Sequence, residues 1–214
     1  MNQEKSKSVR MIIFDVETTG LGKADEVVQF SAFVLDEHFK SLYATNFYCN
    51  TQAPMSAGAF AVHHLSKADL FTLSEGVVFE DNWLKFLTDL EGHRKIWIPW
   101  NSNGFDETII NQTLTNNGLE EYFHFPRLHT LDECLQHDES VFTLMNAVSR
   151  KFGKSSMKLE VAANKLPYLK ANINKVYDQV ASLIPNGYSE LRYHNSLYDA
   201  YITYILFSYY FGGH

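Results

Sequence analysis

Apolar residues along the chain follow two alternating patterns, short β-prone runs and longer segments with helical spacing. The first run, Met11–Phe14, predicts a buried strand, and Thr18-Thr19-Gly20 predicts the turn after it. Further strands are expected at Val27–Leu35, Leu42–Cys49, Ile96–Trp100 and Leu128–Leu131, and helices at Phe79–Leu90, Asp106–Thr115 and Asn195–Tyr210. This order predicts an α/β fold, a layered sheet with helices on its faces.

Three other segments have less regular patterns. Pro54 is expected to open a loop. Leu131–Leu166 is expected to be mainly helical, with a break near Gly153, and Pro167–Ser189 is rich in loop-forming residues.

Composition limits the fold to one domain. With 214 residues, of which 45 % are hydrophobic, the chain can bury one substantial core. We expect residues 1–9 to be a polar lead-in and residues 10–214 to form the domain. An apolar run of membrane-spanning length and a signal-peptide core are both missing from the sequence, so we expect a cytoplasmic protein with no membrane contact. Cys49 and Cys134 lie apart among apolar residues and are expected to be buried thiols.

The net charge of −7 is unevenly distributed. Between Arg150 and Lys175 there are seven basic residues and one acid, Glu160, so that the remaining residues sum to −13. Acidic residues gathered around divalent cations would account for part of this excess. The basic stretch either tracks phosphates or is an ordinary solvated surface, and composition leaves both interpretations open.

Two carboxylates follow the first apolar run, in the sequence Phe14-Asp15-Val16-Glu17. Side chains two positions apart on a strand point to the same face, so Asp15 and Glu17 are expected to lie together. Two adjacent anions at the end of a buried strand are costly unless a cation joins them, and carboxylate oxygens suit Mg²⁺ or Mn²⁺. A pair of solvated carboxylates is the alternative.

Two further segments carry candidate chemistry. Asp106 follows the Ile96–Trp100 run and is expected in the first turn of a helix, where an anion is favoured. Asp199 lies in an apolar part of the last predicted helix and therefore needs a partner, for which a metal would serve. His194 precedes it by five residues, and an imidazole can accept a proton near neutral pH.

Together and in this order, the three motifs resemble those of the DEDD exonuclease superfamily, in its histidine-bearing DEDDh branch. Ile12–Leu21 is similar to the family's first motif, apolar-Asp-x-Glu-Thr-Thr-Gly-Leu. The segment that ends in Asp106 is similar to the second, a strand followed by Asn-x-x-Phe-Asp, and His194–Ala200 is similar to the third, His-x-x-x-x-Asp-Ala. The similarity extends from about Met11 to Tyr210.

The resemblance implies a ribonuclease-H-like exonuclease fold, a central mixed five-stranded sheet flanked by helices. It also implies a metal-dependent 3′→5′ exonuclease that uses two divalent ions, Mg²⁺ or Mn²⁺, and releases nucleoside 5′-monophosphates. By the same resemblance Asp15, Glu17 and Asp199 would hold the first ion, and Asp15 would bridge to a second ion held by Asp106. Glu17 would thus belong to the catalytic machinery together with His194, the general base.

The resemblance also suggests substrate contacts. The family's Thr-Thr-Gly-Leu turn meets the terminal nucleotide, which implicates Thr18, Gly20 and Leu21. His63 lies in a segment similar to the family's Val-His-Gly-Ile-Thr and is expected near the 3′ end, although a surface pair with His64 is the alternative. Asn101, just before the second motif, is also expected to contact substrate.

Three departures from the family pattern leave its five catalytic groups intact. His64 stands where many members have glycine, Asn101-Ser102 replaces the common His-Asn, and His129-Thr130 replaces the common Asp-Thr. These departures bear on the substrate preference that the resemblance implies, and they leave the implied reaction unchanged.

Single-stranded DNA or RNA 3′ ends are the expected partner. Two alternatives are a phosphoesterase acting on small nucleotides or short oligonucleotides and a non-catalytic nucleic-acid-binding module with the same fold. Only Phe211–His214 follow the last predicted helix, so no tail that binds a polymerase or clamp is expected. Several family members are homodimers, and the sequence leaves that state open.

Overall fold

A mixed β-sheet lies at the centre of the computed structural model, which describes residues 7–101, 104–120, 125–167, 169, 180–184 and 192–212. Within these residues the sheet has five strands: β1 (Val9–Thr18), β2 (Val27–Leu35), β3 (Ser41–Tyr48), β4 (Arg94–Pro99) and β5 (Glu139–Val141). Their spatial order is β3-β2-β1-β4-β5. β2 is antiparallel to β1 and β3, whereas β4 is parallel to β1 and β5. The mixed five-stranded sheet expected from the sequence is confirmed.

Helices cover both faces of the sheet. In chain order they are α1 (Ala57–His63), α2 (Lys67–Leu73), α3 (Phe79–Asp89), α4 (Phe105–Asn116), α5 (Leu131–Cys134), α6 (Leu144–Lys151), α7 (Leu159–Ala163) and α8 (Ser196–Phe211). A short 3₁₀ turn, Ala181–Leu183, lies between α7 and α8. The predicted helices at Phe79–Leu90, Asp106–Thr115 and Asn195–Tyr210 therefore form within one or two residues of the expected bounds.

The alternation of side chains along β1 separates two cores. Met11 and Ile13 face a core that includes Leu197 and Ile202 of α8. The intervening residues of β1 face an aromatic core built with α3 and β4, whose members include Phe14, Phe30, Trp83 and Trp97. Because side chains alternate, the face that carries Met11 and Ile13 continues into Asp15 and Glu17, on the side covered by α8.

β1 is longer than the predicted Met11–Phe14 run. It begins at Val9, which pairs with Arg94 of β4, and continues to Thr18, which pairs with Val27 of β2. β1 lies between β2 and β4, and its polar residues Asp15 and Glu17 remain paired with β2. A one-residue irregularity between Glu17 and Thr18 marks the point where the strand begins to turn away.

The last predicted strand was misplaced. Leu128 makes only an isolated bridge to Val141, and Leu131 begins the short helix α5. The fifth strand is instead Glu139–Val141, inside a segment expected to be mainly helical. Three residues are too few for a sequence pattern, and their extended conformation follows from pairing with β4.

The loop expected after Pro54 contains two helices. Ser56 caps the first, because its side chain accepts a hydrogen bond from the Ala59 amide. Ser66 and Asp69 form a reciprocal capping box at the second. The Ser-x-x-Asp spacing was therefore a visible start signal, although seven-residue helices have weak periodicity.

Several other expectations concern residues outside the site. Cys49 and Cys134 are both buried free thiols, as expected. Among the described residues, none of the helices has the length and apolar content needed to cross a bilayer. Most of the 167–189 segment, and Lys170 and Lys175 of the basic stretch, lie outside the described residues.

Candidate active site

Asp15 and Glu17 lie side by side at the end of β1, the central strand. They pair across the ladder with Ser31 and Gln29 of β2. Glu17 is buried, and Asp15 is partly exposed. The strand's alternation thus brings both carboxylates to the face that α8 covers, as expected from their spacing.

Asp199 is brought over β1 by the first turn of α8. The helix begins at Ser196, and the side chain of Asn195 caps it by accepting a hydrogen bond from the Leu197 amide. Buried polar contacts fix this end of the helix to β2: the Ser196 hydroxyl lies 2.7 Å from that of Ser31, and the Ser196 amide donates to Gln29 at 3.3 Å. These contacts set the position of Asp199 relative to β1.

The network around Gln29 and Ser31 was missed from the sequence. Both residues are fully buried in a strand that is otherwise apolar. Asn46 of β3 accepts hydrogen bonds from both, at 2.9 Å each. Two polar residues at alternate positions of an apolar strand are the signal that could have revealed them, because buried polar groups need partners.

Three carboxylates converge where β1 meets α8. One oxygen from each of Asp15, Glu17 and Asp199 lies within 4.8 Å of the others. Asp199 Oδ1 is buried and has no hydrogen-bond partner among the described residues. Three oxygen donors at this spacing, one of them unpaired, fit a hard divalent cation such as Mg²⁺ or Mn²⁺.

Asp106 joins this group from α4. Gly104, with φ of 70°, precedes the helix, and Asp106 is buried in its first turn. Its carboxylate interacts electrostatically with both Asp15 and Asp199. The four predicted carboxylates therefore come from three elements, β1, α4 and α8, to a single site.

The electrostatics of the four carboxylates favour protons or cations. Burial is the largest cause that raises the pKa values of Asp15 and Glu17 well above their usual range, and repulsion from Asp199 adds to it. Burial and repulsion from Glu107 raise the pKa of Asp106 to about 8. Burial raises the pKa of Asp199 to about 7, against the opposing effect of the His194 amide. A divalent cation would relieve the same repulsion.

His194 stands at the rim of the site, in the turn before α8. Its ring is exposed and lines the same pocket as the four carboxylates. Its backbone amide donates a hydrogen bond of 2.9 Å to Asp199 Oδ2. Its φ of 67° is in the left-handed region, which a non-glycine residue occupies only when its surroundings hold it there.

The turn after β1 is held by Asp25, which the sequence did not single out. Asp25 accepts hydrogen bonds from the Thr19 hydroxyl at 2.8 Å and from the Gly22 amide at 2.5 Å. A Cβ on Gly20 would lie 2.6 Å from the Asp25 carboxylate, so the turn needs a glycine there. Leu21 is 86 % exposed on this fixed turn, where it lines the pocket.

His63 is buried beneath the turn and has both ring nitrogens occupied. Nδ1 accepts from the Leu65 amide at 3.0 Å, so Nε2 carries the proton and donates to the Thr18 carbonyl, also at 3.0 Å. Burial lowers the pKa of His63, while the bond to Thr18 opposes this shift. The structure thus ties α1 to the end of β1 through a neutral imidazole, and the surface pair considered from the sequence is wrong for His63.

All of the predicted site residues line one pocket of about 650 Å³. They are Asp15, Glu17, Thr18, Gly20, Leu21, His63, Asn101, Asp106, His194 and Asp199. The pocket wall also includes apolar residues from four other places, which the sequence did not single out: Ala59 and Val62 of α1, Trp100, Phe105 and Leu159. A second depression, of about 430 Å³, adjoins the first at His194 and Asn101 and includes Lys158.

The departures at positions 64 and 129 have different consequences. His64 adopts φ of 62°, the conformation that glycine would take, so the turn after α1 is kept. His129 stacks on His137 with 4.3 Å between ring centroids, and it lines a depression that shares no residue with the acidic pocket. Ser102 lies outside the described residues.

A mixed sheet in the order β3-β2-β1-β4-β5, with an acidic cluster at the end of its central strand, is the ribonuclease-H-like exonuclease fold. The family RNase_T, described as exonuclease, matches residues 12–207. The chain belongs to this exonuclease family, as the resemblance of its motifs indicated. Sequence comparison with curated proteins finds no match.

Solved structures of exonuclease I share this fold. A structure of exonuclease I that suggests how this enzyme achieves processivity matches with a TM-score of 0.66 and 18 % sequence identity, over 94 % of this chain and 41 % of its own. E. coli exonuclease I in complex with a dA16 oligonucleotide matches with a TM-score of 0.65 and 18 % sequence identity, over 94 % of this chain and 41 % of its own. The zinc-bound complex of E. coli exonuclease I with single-stranded DNA matches with a TM-score of 0.63 and 17 % sequence identity, over 96 % of this chain and 41 % of its own. The chain thus spans about two-fifths of the length of these proteins.

Proposed function

We propose that the chain is a 3′→5′ exonuclease that shortens single-stranded nucleic acid and releases nucleoside 5′-monophosphates. The observation that carries the proposal is the convergence of four carboxylates and one histidine on a single pocket beside the exposed Leu21. Carboxylates alone would suit a structural cation. A histidine at the rim and apolar residues in the pocket wall add what hydrolysis of a nucleotide chain needs, a proton acceptor and a surface for a base.

Two divalent ions, Mg²⁺ or Mn²⁺, are the cofactors that we propose. Asp15, Glu17 and Asp199 would hold the first, as their mutual distances allow. Asp106, together with Asp15, would hold the second. When bound, such ions lower the pKa of a coordinated water and offset charge on phosphate oxygens.

His194 is the proposed general base. Its ring lines the pocket, and its backbone bond to Asp199 fixes the turn that presents the ring. It would accept a proton from the attacking water as the oxygen of that water bonds to phosphorus. The bond between phosphorus and the 3′ oxygen of the preceding nucleotide then breaks, that oxygen takes up a proton from solvent to become the new 3′-hydroxyl, and the terminal nucleotide leaves with a 5′-phosphate.

The turn after β1 is the proposed holder of the terminal nucleotide. Leu21 offers an apolar side chain at the pocket, and Gly20 allows close approach of the backbone. Thr18 donates its hydroxyl to the Gly20 carbonyl at 2.8 Å, which keeps the turn closed. We assign Asn101 a substrate contact because it lines both depressions, and we assign His63 a positioning role through Thr18.

Two observations support a single-stranded polymer over a free nucleotide as substrate. The acidic pocket continues past His194 into the depression with Lys158, which gives a longer chain a second place to contact the protein. E. coli exonuclease I, whose fold this chain shares, is solved with single-stranded DNA and with a dA16 oligonucleotide. Lys158 belongs to the basic stretch and is exposed there.

The test is degradation of single-stranded DNA and RNA oligonucleotides labelled at the 5′ end, with Mg²⁺ or Mn²⁺. We expect a ladder that shortens from the 3′ end and disappears with EDTA or in Asp15→Ala. Asp89→Ala, which removes an exposed carboxylate at the end of α3, is the matched control and should keep full activity. Absence of shortening on both substrates would contradict the proposal and favour small nucleotides or a binding role.

A further inference from the structure

A cluster of lysines and aromatic rings lies where α6, α7 and α8 end. Lys151 is the last residue of α6, Phe152 follows it, Lys165 lies two residues beyond the end of α7, and Tyr210 lies in the last turn of α8. Lys165 Nζ is 4.9 Å from the centroid of the Phe152 ring, and Lys151 Nζ is 5.4 Å from the centroid of the Tyr210 ring. The two rings meet edge to face, with 6.4 Å between their centroids. These four residues form one surface, the basic patch.

The charge around the basic patch is opposite to that of the whole protein. Residues 150–167 contain five basic residues and one acid, so they sum to +4 and the rest of the chain to −11. Lys151 and Lys165 are exposed, and neither forms an ion pair with any residue that the structure describes. A concentration of such cations on a protein of net charge −7 favours an anionic partner at this place.

The aromatic rings restrict the two lysine side chains. A lysine side chain is flexible, so fixing it against an anion costs conformational entropy. An ammonium above an aromatic ring is attracted to the ring, while its N–H groups that point away can still donate to an anion. Phe152 is itself 37 % exposed and therefore supports the Lys165 ammonium at the surface of the protein. The patch thus presents positioned cations, which distinguishes it from an ordinary solvated lysine surface.

The helices that meet at the basic patch all begin at the proposed active site. Asp199 lies in the first turn of α8, Leu159 begins α7 and lines both depressions, and Met145 of α6 lines the depression with Lys158. Lys158 immediately precedes α7, so α7 connects that depression with the patch. Along α8, the eleven residues from Asp199 to Tyr210 span about 16 Å at about 1.5 Å per residue. The patch is therefore separate from the pocket and lies beyond the depression with Lys158.

We propose that the basic patch binds phosphates of the single strand on the 5′ side of the nucleotides in the pocket. The inference rests on the proposed exonuclease function and adds a binding surface outside the pocket. A strand whose 3′ end lies beside Asp199 and that passes Lys158 meets Lys165 and Lys151 when it is long enough. Phosphates repeat along a strand, whereas a free nucleotide carries its charge in one place, so only a polymer gains from both sets of cations.

The test compares Lys151→Gln and Lys165→Gln, singly and together, with the wild-type protein. Each change removes one charge and keeps a long side chain. Binding is measured by fluorescence anisotropy of a labelled single strand of about 20 nucleotides, with Ca²⁺ in place of Mg²⁺. Each single variant should raise Kd about threefold to tenfold and should lower the slope of log Kd against log salt concentration by about 0.7. The double variant should lower that slope by about 1.4.

Lys85→Gln is the matched control. Lys85 is an exposed lysine of α3, the helix whose Trp83 and Phe86 pack in the aromatic core on the other face of the sheet. The variant removes the same charge and should leave Kd and its salt dependence unchanged. A dinucleotide substrate provides a second control, because it is too short to occupy the pocket and reach the patch about 16 Å away. Its kcat/KM should be the same in the patch variants and in the wild-type protein.

Binding measured without catalysis keeps this inference separate from the proposed activity. Weaker binding and a smaller salt slope in the patch variants support the inference even if no strand is cleaved. An unchanged Kd and slope in the double variant overturn it and leave the exonuclease proposal standing. An equal loss in Lys85→Gln also overturns it, because the effect would then follow from net charge alone. Polyglutamate that binds the wild-type protein and not the double variant, with oligonucleotide binding unchanged, would assign the patch to an acidic protein instead.

Discussion

The backbone amide of His194 donates a 2.9 Å hydrogen bond to Asp199 Oδ2, while Asp199 Oδ1 stays buried without a partner among the described residues. One main-chain contact thus orients the carboxylate and fixes the turn that carries the imidazole. The two residues are separated by five positions, so their relative position is set by the local turn at the start of α8 rather than by the rest of the fold. The proposed proton acceptor and the proposed cation ligand are in this way positioned together.

The His194 side chain can be removed without disturbing that amide. We expect His194→Ala to lower kcat by about 10²–10⁴-fold, the usual contribution of a general base. His194→Asn, which tolerates a positive φ better, should be equally inactive. The stabilisation of both variants by Mn²⁺ should match that of the wild-type protein, because the carboxylates are intact.

Kinetics and thermal unfolding with and without Mn²⁺ check this prediction. Asp89→Ala again provides the reference for an ordinary surface change. Near wild-type kcat in either variant would show that His194 is not the base. Loss of the Mn²⁺ response would instead place its side chain among the groups that hold the cation.

Stability of the metal-free protein should fall as pH rises. In the folded state the pKa of Asp106 is about 8 and that of Asp199 about 7, against an ordinary value of 3.8 for the unfolded chain. The folded state therefore binds more protons than the unfolded state between about pH 4 and 8, and the stabilisation present below that window is lost across it. Tm measured in EDTA should decrease from pH 5.5 to pH 8.5.

Cation binding and Asp106→Asn provide two checks on the cause. Mg²⁺ or Mn²⁺ should raise Tm more at pH 8.5 than at pH 5.5, because protons compete for the same oxygens. Asp106→Asn removes one charge and should flatten the pH dependence of Tm in EDTA. A Tm that is constant or rises with pH in the metal-free protein is incompatible with the raised pKa values that burial, and at Asp106 also repulsion between carboxylates, gives this site.

His63 should matter through structure rather than through contact with phosphate. His63→Leu leaves the Thr18 carbonyl and the Leu65 amide without partners, which should reduce the free energy of unfolding by about 1–3 kcal/mol. The turn that carries Leu21 would loosen, so kcat/KM should fall as well. His63→Gln can still donate to Thr18 and should recover part of both losses.

Chemical denaturation and steady-state kinetics of the two variants measure these effects. Activity lost in His63→Leu with unchanged stability would point to a direct role in substrate binding. Full activity with reduced stability would show that the turn holds its position without α1.

The sequence predicted the parts of the site that follow from short-range geometry. Two-residue alternation placed Asp15 and Glu17 on one face of β1, and this is what the structure shows. The motif around Asp199 could be associated with them only through the resemblance to a family, since the contact spans most of the chain. The fifth strand was misplaced because its three residues carry no pattern and become extended only through pairing with β4.

The remaining differences arise where a residue's role depends on its neighbours in space. His63 was expected near the 3′ end of the substrate, and the structure adds two hydrogen bonds of its ring, to Thr18 and to Leu65, that the sequence did not indicate. The sequence did not single out Asp25, yet it holds the turn around Gly20. α1 carries too few residues for helical periodicity, so its exposed face became visible only in the folded chain.

The most direct test of the proposed reaction identifies the released product. Digestion of a single-stranded oligonucleotide in oxygen-18 water with Mg²⁺, followed by mass spectrometry, should yield nucleoside 5′-monophosphates that carry one oxygen-18 in the phosphate. The remaining strand should end in an unlabelled 3′-hydroxyl, because the bond that breaks joins phosphorus to the 3′ oxygen. Nucleoside 3′-monophosphates, or product of the same composition in Asp15→Ala, would contradict the account.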